Sequence, residues 1–282
     1  MRWAGDRQSS NIEDRRGTGG RGIAVGGGIG SIVIALIIYL LGGNPSQVIN
    51  TAPTSQVQQS PAQQQAEKEY ADFTATVLGY TEDVWNKLFN EMNKQYVEPR
   101  LVMFTEATQS GCGFASAATG PFYCPTDEKV YIDLSFFEDM KNRFGAGGDF
   151  AMAYVIAHEV GHHVQNLLGI TRKVDAMRAQ GSSETEMNKL SVRLELQADF
   201  LAGVWAHYTE QYKNNLDPGD IEEALNAANA IGDDRLQKES QGYVVPDAFT
   251  HGTSEQRMYW FKKGYTTGDI NQGNTFNDPG LQ

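Results

Sequence analysis

The chain has 282 residues, 40% hydrophobic and 10% aromatic, enough to bury a sizeable core in one large domain or two small ones and far from the composition of a disordered acidic chain. Its formal charge of −12 is unevenly spread: residues 1–43 hold five arginines against Asp6, Glu13 and Asp14, and the remainder holds 18 Lys and Arg against 32 Asp and Glu. A domain this acidic, with no basic stripe interleaved with aromatics, repels phosphate backbones, so nucleic acid is not an expected partner.

From Gly22 to Gly43 the chain carries no charge and reads IAVGGGIGSIVIALIIYLL between its flanks. These 22 positions would span about 33 Å as a helix, enough for a bilayer core. Arginines precede the run and no Lys or Arg follows until Lys68. The positive-inside rule then predicts residues 1–21 as a cytoplasmic tail, 22–43 as a transmembrane anchor, and everything after Gly43 outside. A cleaved signal peptide is the competing reading, because the densest apolar stretch, Ile29 to Leu41, is short. The following GGNPSQVINTAP offers no good small-x-small cleavage site. Residues 44–66 are rich in Gln, Ser, Pro and Thr and read as a flexible tether.

From residue 67 to 282 the composition is that of a folded domain. Thr81 is expected to cap a helix with Val84, Trp85, Leu88, Phe89 and Met92 at core-facing spacing. Arg100 to Phe104 and Val130 to Leu134 read as short strands. Cys112 and Cys124, in GCGFASAATGPFYC, are too far apart for CxxC chemistry. They are two buried thiols in a reducing compartment or a bridge in an oxidising one. After Asp149 the pattern is helical, broken at Gly169, Asp217-Pro218-Gly219 and Gly242. Strands first and helices after predict an α+β domain.

The segment GGDFAMAYVIAHEVGHHVQNLLG has Asp149 as a candidate N-cap, Gly169 as a C-cap and no proline between, predicting a helix of about 19 residues. Inside it lies His158-Glu159-Val160-Gly161-His162. Four residues at 100° each bring the two imidazoles to within about 40° on one face, where both reach a single zinc ion. Glu159 lies to one side, placed to act as general base toward water rather than as a ligand. The bland alternative is a hydrogen-bonded His pair. Yet three of only five histidines fall at 158, 162 and 163, and the flanking residues are apolar. His163 itself is expected to pack or hydrogen-bond, and His207 is read as structural.

A catalytic zinc takes three protein ligands. Ser183 to Glu186 reads as a capping box opening a helix through ELQADFLAGVWAHY. On it Glu195 and Asp199 are one turn apart beside Ala198, Ala202 and Gly203, small residues that admit a second helix. Glu195 is therefore expected as the third ligand, and Asp199 as the acceptor for the outer N–H of a zinc-bound histidine.

HEVGHH followed by ELQAD resembles the Glu-zincin peptidases. More closely, the chain resembles the bacterial neutral zinc metallopeptidases, through MRW with EDRRG, GCGFASAATGPFYCP, VYIDLSFF, AYVIAHEVGHHVQ, ELQADFLAGVWAH, DPGDIEEALNAANAIGDDRLQ and FTHGTSEQR. The resemblance implies a zincin-like, mostly helical domain with a small sheet, a zinc cofactor and a peptide or protein substrate. It also implies that His251 and Arg257 bind the oxyanion, as a comparable His and Arg do in some membrane-associated Glu-zincins. By analogy with other zincins, a strand near residues 113–118 would pair with extended substrate. With the domain at the outer face of the bacterial cytoplasmic membrane, a Cys112–Cys124 bridge is expected. The alternative is a catalytically inactive, membrane-anchored zinc-binding scaffold, which would have no use for Glu159.

Overall fold

The computed structural model describes residues 1–17, 60–180 and 183–281. Strands β1 (Ile12–Asp14), β2 (Arg100–Phe104), β5 (Phe122–Cys124) and β6 (Lys129–Asp133) form one sheet in the order β1-β2-β6-β5. β1, β2 and β6 run parallel, and β5 is antiparallel to β6. β3 (Ala107–Ser110) and β4 (Gly113–Ser116) make a separate antiparallel hairpin. The helices are α1 (Pro61–Glu91), α2 (Ser135–Asn142), α3 (Asp149–Leu167), α4 (Ile170–Arg178), α5 (Glu184–Lys213), α6 (Asp220–Ala230), α7 (Asp233–Gln241) and α8 (Ser254–Thr267).

The sheet has an apolar cluster on each face, because alternate side chains of a strand point opposite ways. Leu101, Met103, Val130 and Ile132 face the main core with Phe150, Tyr154, Phe200 and Trp205 from the helices. Val102, Phe104, Tyr131 and Cys124 form a smaller cluster on the other side. Central strands buried on both faces explain why RLVMF and KVYID read as continuous rather than alternating apolar runs.

Two helix starts differ from the sequence reading. α1 begins at Pro61, inside the expected tether, where Ser60 accepts from the Gln63 N–H and Gln63 returns the bond in a capping box. Thr81 is consequently internal to α1, its hydroxyl donating to the Leu78 carbonyl. At the start of α3 the cap is Gly148, at φ 125°, and Glu223 from α6 accepts the Phe150 N–H. A Cβ on Gly148 would stand 2.3 Å from that carboxylate, so the glycine makes room for a long-range cap.

The largest difference concerns residues 1–17, expected as a separate tail. They pack on the domain, with β1 extending the sheet as its edge strand. The Trp3 indole N–H donates to Asp149 at 2.9 Å, and its ring meets Phe73 edge-on at 5.3 Å. No helix among the described residues is long and apolar enough to cross a membrane. The expected anchor, residues 22–43, lies outside them, as do residues 44–59 of the tether.

Candidate metal centre

Residues 149–167 form one uninterrupted helix, so His158 and His162 project from the same face one turn apart. α5 crosses this face at the small residues the sequence singled out. Gly161 lies against Ala198, where an added Cβ would come 3.0 Å from the Ala198 carbonyl oxygen. The contact lets Glu195 reach both rings: its Oε2 is 3.1 Å from His158 Nε2 and its Oε1 is 3.4 Å from His162 Nε2. One donor atom from each of His158, His162 and Glu195 lies within 4.8 Å of the other two.

The outer ring nitrogens are engaged. Asp199 is 2.8 Å from His158 Nδ1, and the Gln165 side-chain oxygen is 2.9 Å from His162 Nδ1. Both acceptors favour the Nδ1–H tautomer, which leaves each Nε2 lone pair directed at Glu195. Two imidazole nitrogens and one carboxylate on a rigid pair of helices fit a catalytic zinc, which takes three protein ligands and keeps one position open.

Electrostatics point the same way. Burial disfavours charge on His158, but the Asp199 and Glu195 carboxylates outweigh it and raise it to about 10. His162 is raised against its own burial by Glu195. Burial pushes Glu195 up, yet His162 and His158 hold it well below the usual carboxylate range. The cluster is thus built to hold positive charge, supplied by ring protons or by a dication that displaces them.

Behind the rings lies a fully buried relay. Asp199 receives Arg257 Nε at 2.9 Å and Nη2 at 3.0 Å, and the Tyr154 hydroxyl at 2.5 Å. Despite burial, Arg257 and His158 hold Asp199 at about 2. α8 brings Arg257 here because it crosses α5 with almost no separation. A Cβ on Gly203 would stand 2.1 Å from the Phe261 oxygen, and one on Gly264 2.0 Å from the Phe200 oxygen. Arg257, expected at the oxyanion, therefore has its Nε and Nη2 committed to Asp199, and its side chain is 3% exposed.

His251 precedes α8 and reaches the cleft that His158, Glu159, His162 and Glu195 line, a cavity of about 450 Å³. Asp233 fixes it: one carboxylate oxygen accepts the backbone N–H groups of Thr250, His251 and Gly252, and the other lies 3.1 Å from His251 Nδ1. Burial works against charge on His251, but the hydrogen bond to Asp233 prevails and raises it above the usual histidine value. Glu159 lines the same cleft and is buried, with no hydrogen-bonding partner among the described residues.

Sequence reasoning missed Tyr154, Gln165 and Asp233. Tyr154 lies one turn before His158 and Gln165 three residues after His162, so helix spacing alone could have found both. Asp233 is 18 residues from His251, at the start of α7, and left no local signal. His163 turns away from the metal face, with Nε2 2.6 Å from the Val97 carbonyl and Nδ1 3.1 Å from the Tyr123 hydroxyl. His207 bonds the Tyr265 carbonyl, as a structural residue would. The expected bridge is present between Cys112 and Cys124, tying the β3–β4 turn to β5. The strand lining the cleft is β5; residues 113–116 belong to the separate hairpin.

An HExxH helix with a glutamate from a second helix, backed by an aspartate, brings together three donors that could hold one metal ion, the arrangement of the zinc metallopeptidase class. The chain belongs to the family described as "Putative neutral zinc metallopeptidase", whose model matches residues 1–276. It is 51% identical over 285 aligned residues to the uncharacterized protein YpfJ of Escherichia coli K12, covering 98% of this chain and 99% of that one. It is 45% identical over 191 residues to the uncharacterized protein Rv2575 of Mycobacterium tuberculosis H37Rv, covering 64% of this chain and 63% of that one. No solved structure matches the chain significantly.

Proposed function

We propose that the chain hydrolyses peptide bonds with zinc held by His158, His162 and Glu195, in an extracytoplasmic compartment. The observation that carries the reading is Glu159, a buried residue in the cleft beside two metal-competent imidazoles, with no hydrogen-bonding partner among the described residues. A purely structural site has no use for such a group.

Zinc bound here would supply a water of lowered pKa and polarise the scissile carbonyl. The chain's own residues do the rest. Glu159 takes the proton from the attacking water and returns it to the leaving amine. His251, whose protonated form Asp233 favours, offers its Nε2–H to the carbonyl oxygen as charge develops there. Arg257 acts at one remove, neutralising Asp199 so that Asp199 can hold the His158 ring in place.

The substrate's place follows from β5, which pairs with β6 along one edge, ends the sheet and lines the cleft. An extended peptide laid along its outer edge would gain main-chain hydrogen bonds and pass over the metal. The Cys112–Cys124 bridge supports the proposed compartment, since such bonds persist where the medium is oxidising.

The test is cleavage of an unstructured protein, followed by mass spectrometry, with wild type and Glu159→Gln. Wild type should cut and be stopped by a chelator, and Glu159→Gln should lose at least the 10²–10⁴-fold typical of general acid–base catalysis, roughly. Equal cutting by both proteins would leave a zinc-binding scaffold as the reading.

A further inference from the structure

The cleft differs at its two ends. α3 runs along it, contributing Val155, His158, Glu159, His162 and Gln165, so that Val155 and Gln165 lie in opposite directions from the metal donors. Tyr123 of β5 bonds His163 and Asn166 near the C-terminal end of α3, and β5 therefore starts from the opposite end, where Gly120 meets Phe136. A Cβ on that glycine would stand 3.9 Å from the Phe136 ring. With Phe122 and Val155, this end is apolar. Beyond Gln165 the lining changes to Thr171 and Arg178 of α4 and Ser191 of α5.

Among the described residues that line the cleft, two carry a guanidinium, Arg257 and Arg178. Arg257 is buried and neutralised by Asp199. Arg178 is placed differently. Its Nη2 donates to the Ser191 hydroxyl at 2.8 Å, a neutral partner, and its Nη1 lies 3.5 Å from Asp175, one turn back on α4. Arg178 is 34% exposed and Asp175 61%, and so exposed a pair is weak and screened by water. The guanidinium is thus held in position while keeping most of its charge. Ser191 holds it, its hydroxyl hydrogen directed at the Met187 carbonyl and its lone pairs left for Arg178. Ser191 is also four residues before Glu195 on one face of α5, about 6 Å along the helix axis. An extended peptide advances about 3.3 Å per residue, so a carbonyl at the metal brings groups about two or three residues along within reach of Arg178.

We propose that Arg178 binds a carboxylate of the peptide substrate on the Gln165 side of the metal. The chain then selects peptides with an acidic side chain or a free C-terminus about two or three residues from the bond that is cut. The cut bond rests on the hydrolytic reading above; the carboxylate site does not. A guanidinium has more N–H donors than Ser191 and Asp175 take up, and its planar fork matches a carboxylate. A chain of net charge −12 repels carboxylates at long range, so accepting one here requires a local cation. The apolar end supplies none among the described residues, and the carboxylate therefore also fixes which way the peptide lies.

Peptide binding measured by fluorescence anisotropy tests this, on the full chain carrying Glu159→Gln so that bound peptide stays intact. The probes are a short amidated peptide without acidic residues, the same peptide with one Glu placed at each position in turn, and the same peptide with a free C-terminal carboxylate. A further set carries Lys in place of Glu. The best Glu peptide or the free acid should bind about 5-fold or more tighter than the neutral peptide, and which of them does so identifies the source of the carboxylate. Arg178→Gln should abolish the preference and Arg178→Lys keep part of it. Arg178→Glu should transfer the preference to a Lys peptide, an exchange that a merely structural arginine would not produce. Equal affinity, or none, for all the peptides would overturn the proposal, as would a carboxylate preference that persists in Arg178→Glu. Cleavage by the chain with Glu159 intact is followed on the same peptides. Binding in the expected pattern without cleavage would remove the hydrolytic reading and leave Arg178 in its role.

Discussion

At the scale of single residues, the proposed zinc site takes Glu195 as its third donor, while Asp199 is bonded to the His158 ring. Glu195→Ala should therefore lose most bound zinc, whereas Asp199→Ala should weaken zinc affinity by about 10–100-fold. Metal content after dialysis against a weak chelator distinguishes them, and equal retention by both variants would refute the division of roles. Asp233 should be visible in the pH profile. Because it raises His251, the protonated ring persists to higher pH, and activity that needs it is lost as pH rises through that value. Asp233→Asn should move this alkaline limb of kcat/KM to lower pH; an unmoved limb would separate His251 from the chemistry. HExxH with Glu195 and Asp199 was legible because helix geometry converts spacing directly into shared faces. Arg257 was found from its motif but its bonds to Asp199 were not, since its number says nothing about how closely α8 lies on α5.

That closeness belongs to the scale of elements. The α5–α8 crossing depends on Gly203 and Gly264, whose hydrogens meet opposing backbone. Gly203→Ala should cost about 3 kcal/mol or more, because neither helix backbone can yield as a side chain could; an unchanged urea midpoint would contradict the packing described. The β5 edge is keyed to α3 through His163, and burial lowers this histidine below its ordinary value. A histidine depressed in the folded state contributes stability that is present above its unfolded pKa and lost as pH falls through the folded one. The stability gap between wild type and His163→Gln should therefore narrow as the medium is acidified below about pH 6.5. A gap constant with pH would sink this assignment. Strands β2 and β6 and the helices after Asp149 were readable from periodicity and caps, whereas the parallel pairing of β2 with β6 is a long-range choice that local pattern does not encode.

For the whole molecule, the N-terminal segment alters the picture most. Composition separated residues 1–21 from the domain because an uncharged run and a Gln-rich stretch intervene, yet β1 and Trp3 reach the sheet and the start of the metal-bearing helix. The signals were present as Gly79 inside a helix, where a Cβ would stand 3.0 Å from the Arg7 carbonyl oxygen, and as arginines interspersed with carboxylates, and neither names its partner. The central claim joins this scaffold to one reaction: zinc held by two histidines and Glu195, with Glu159 left free to move a proton. The most direct measurement is zinc add-back to chelated protein, following bound metal and hydrolysis of one unstructured substrate together. Wild type should regain full activity at one zinc per chain, and Glu159→Gln should take up the same single zinc while remaining inactive. Activity in Glu159→Gln that rises with zinc as it does in wild type would contradict the account.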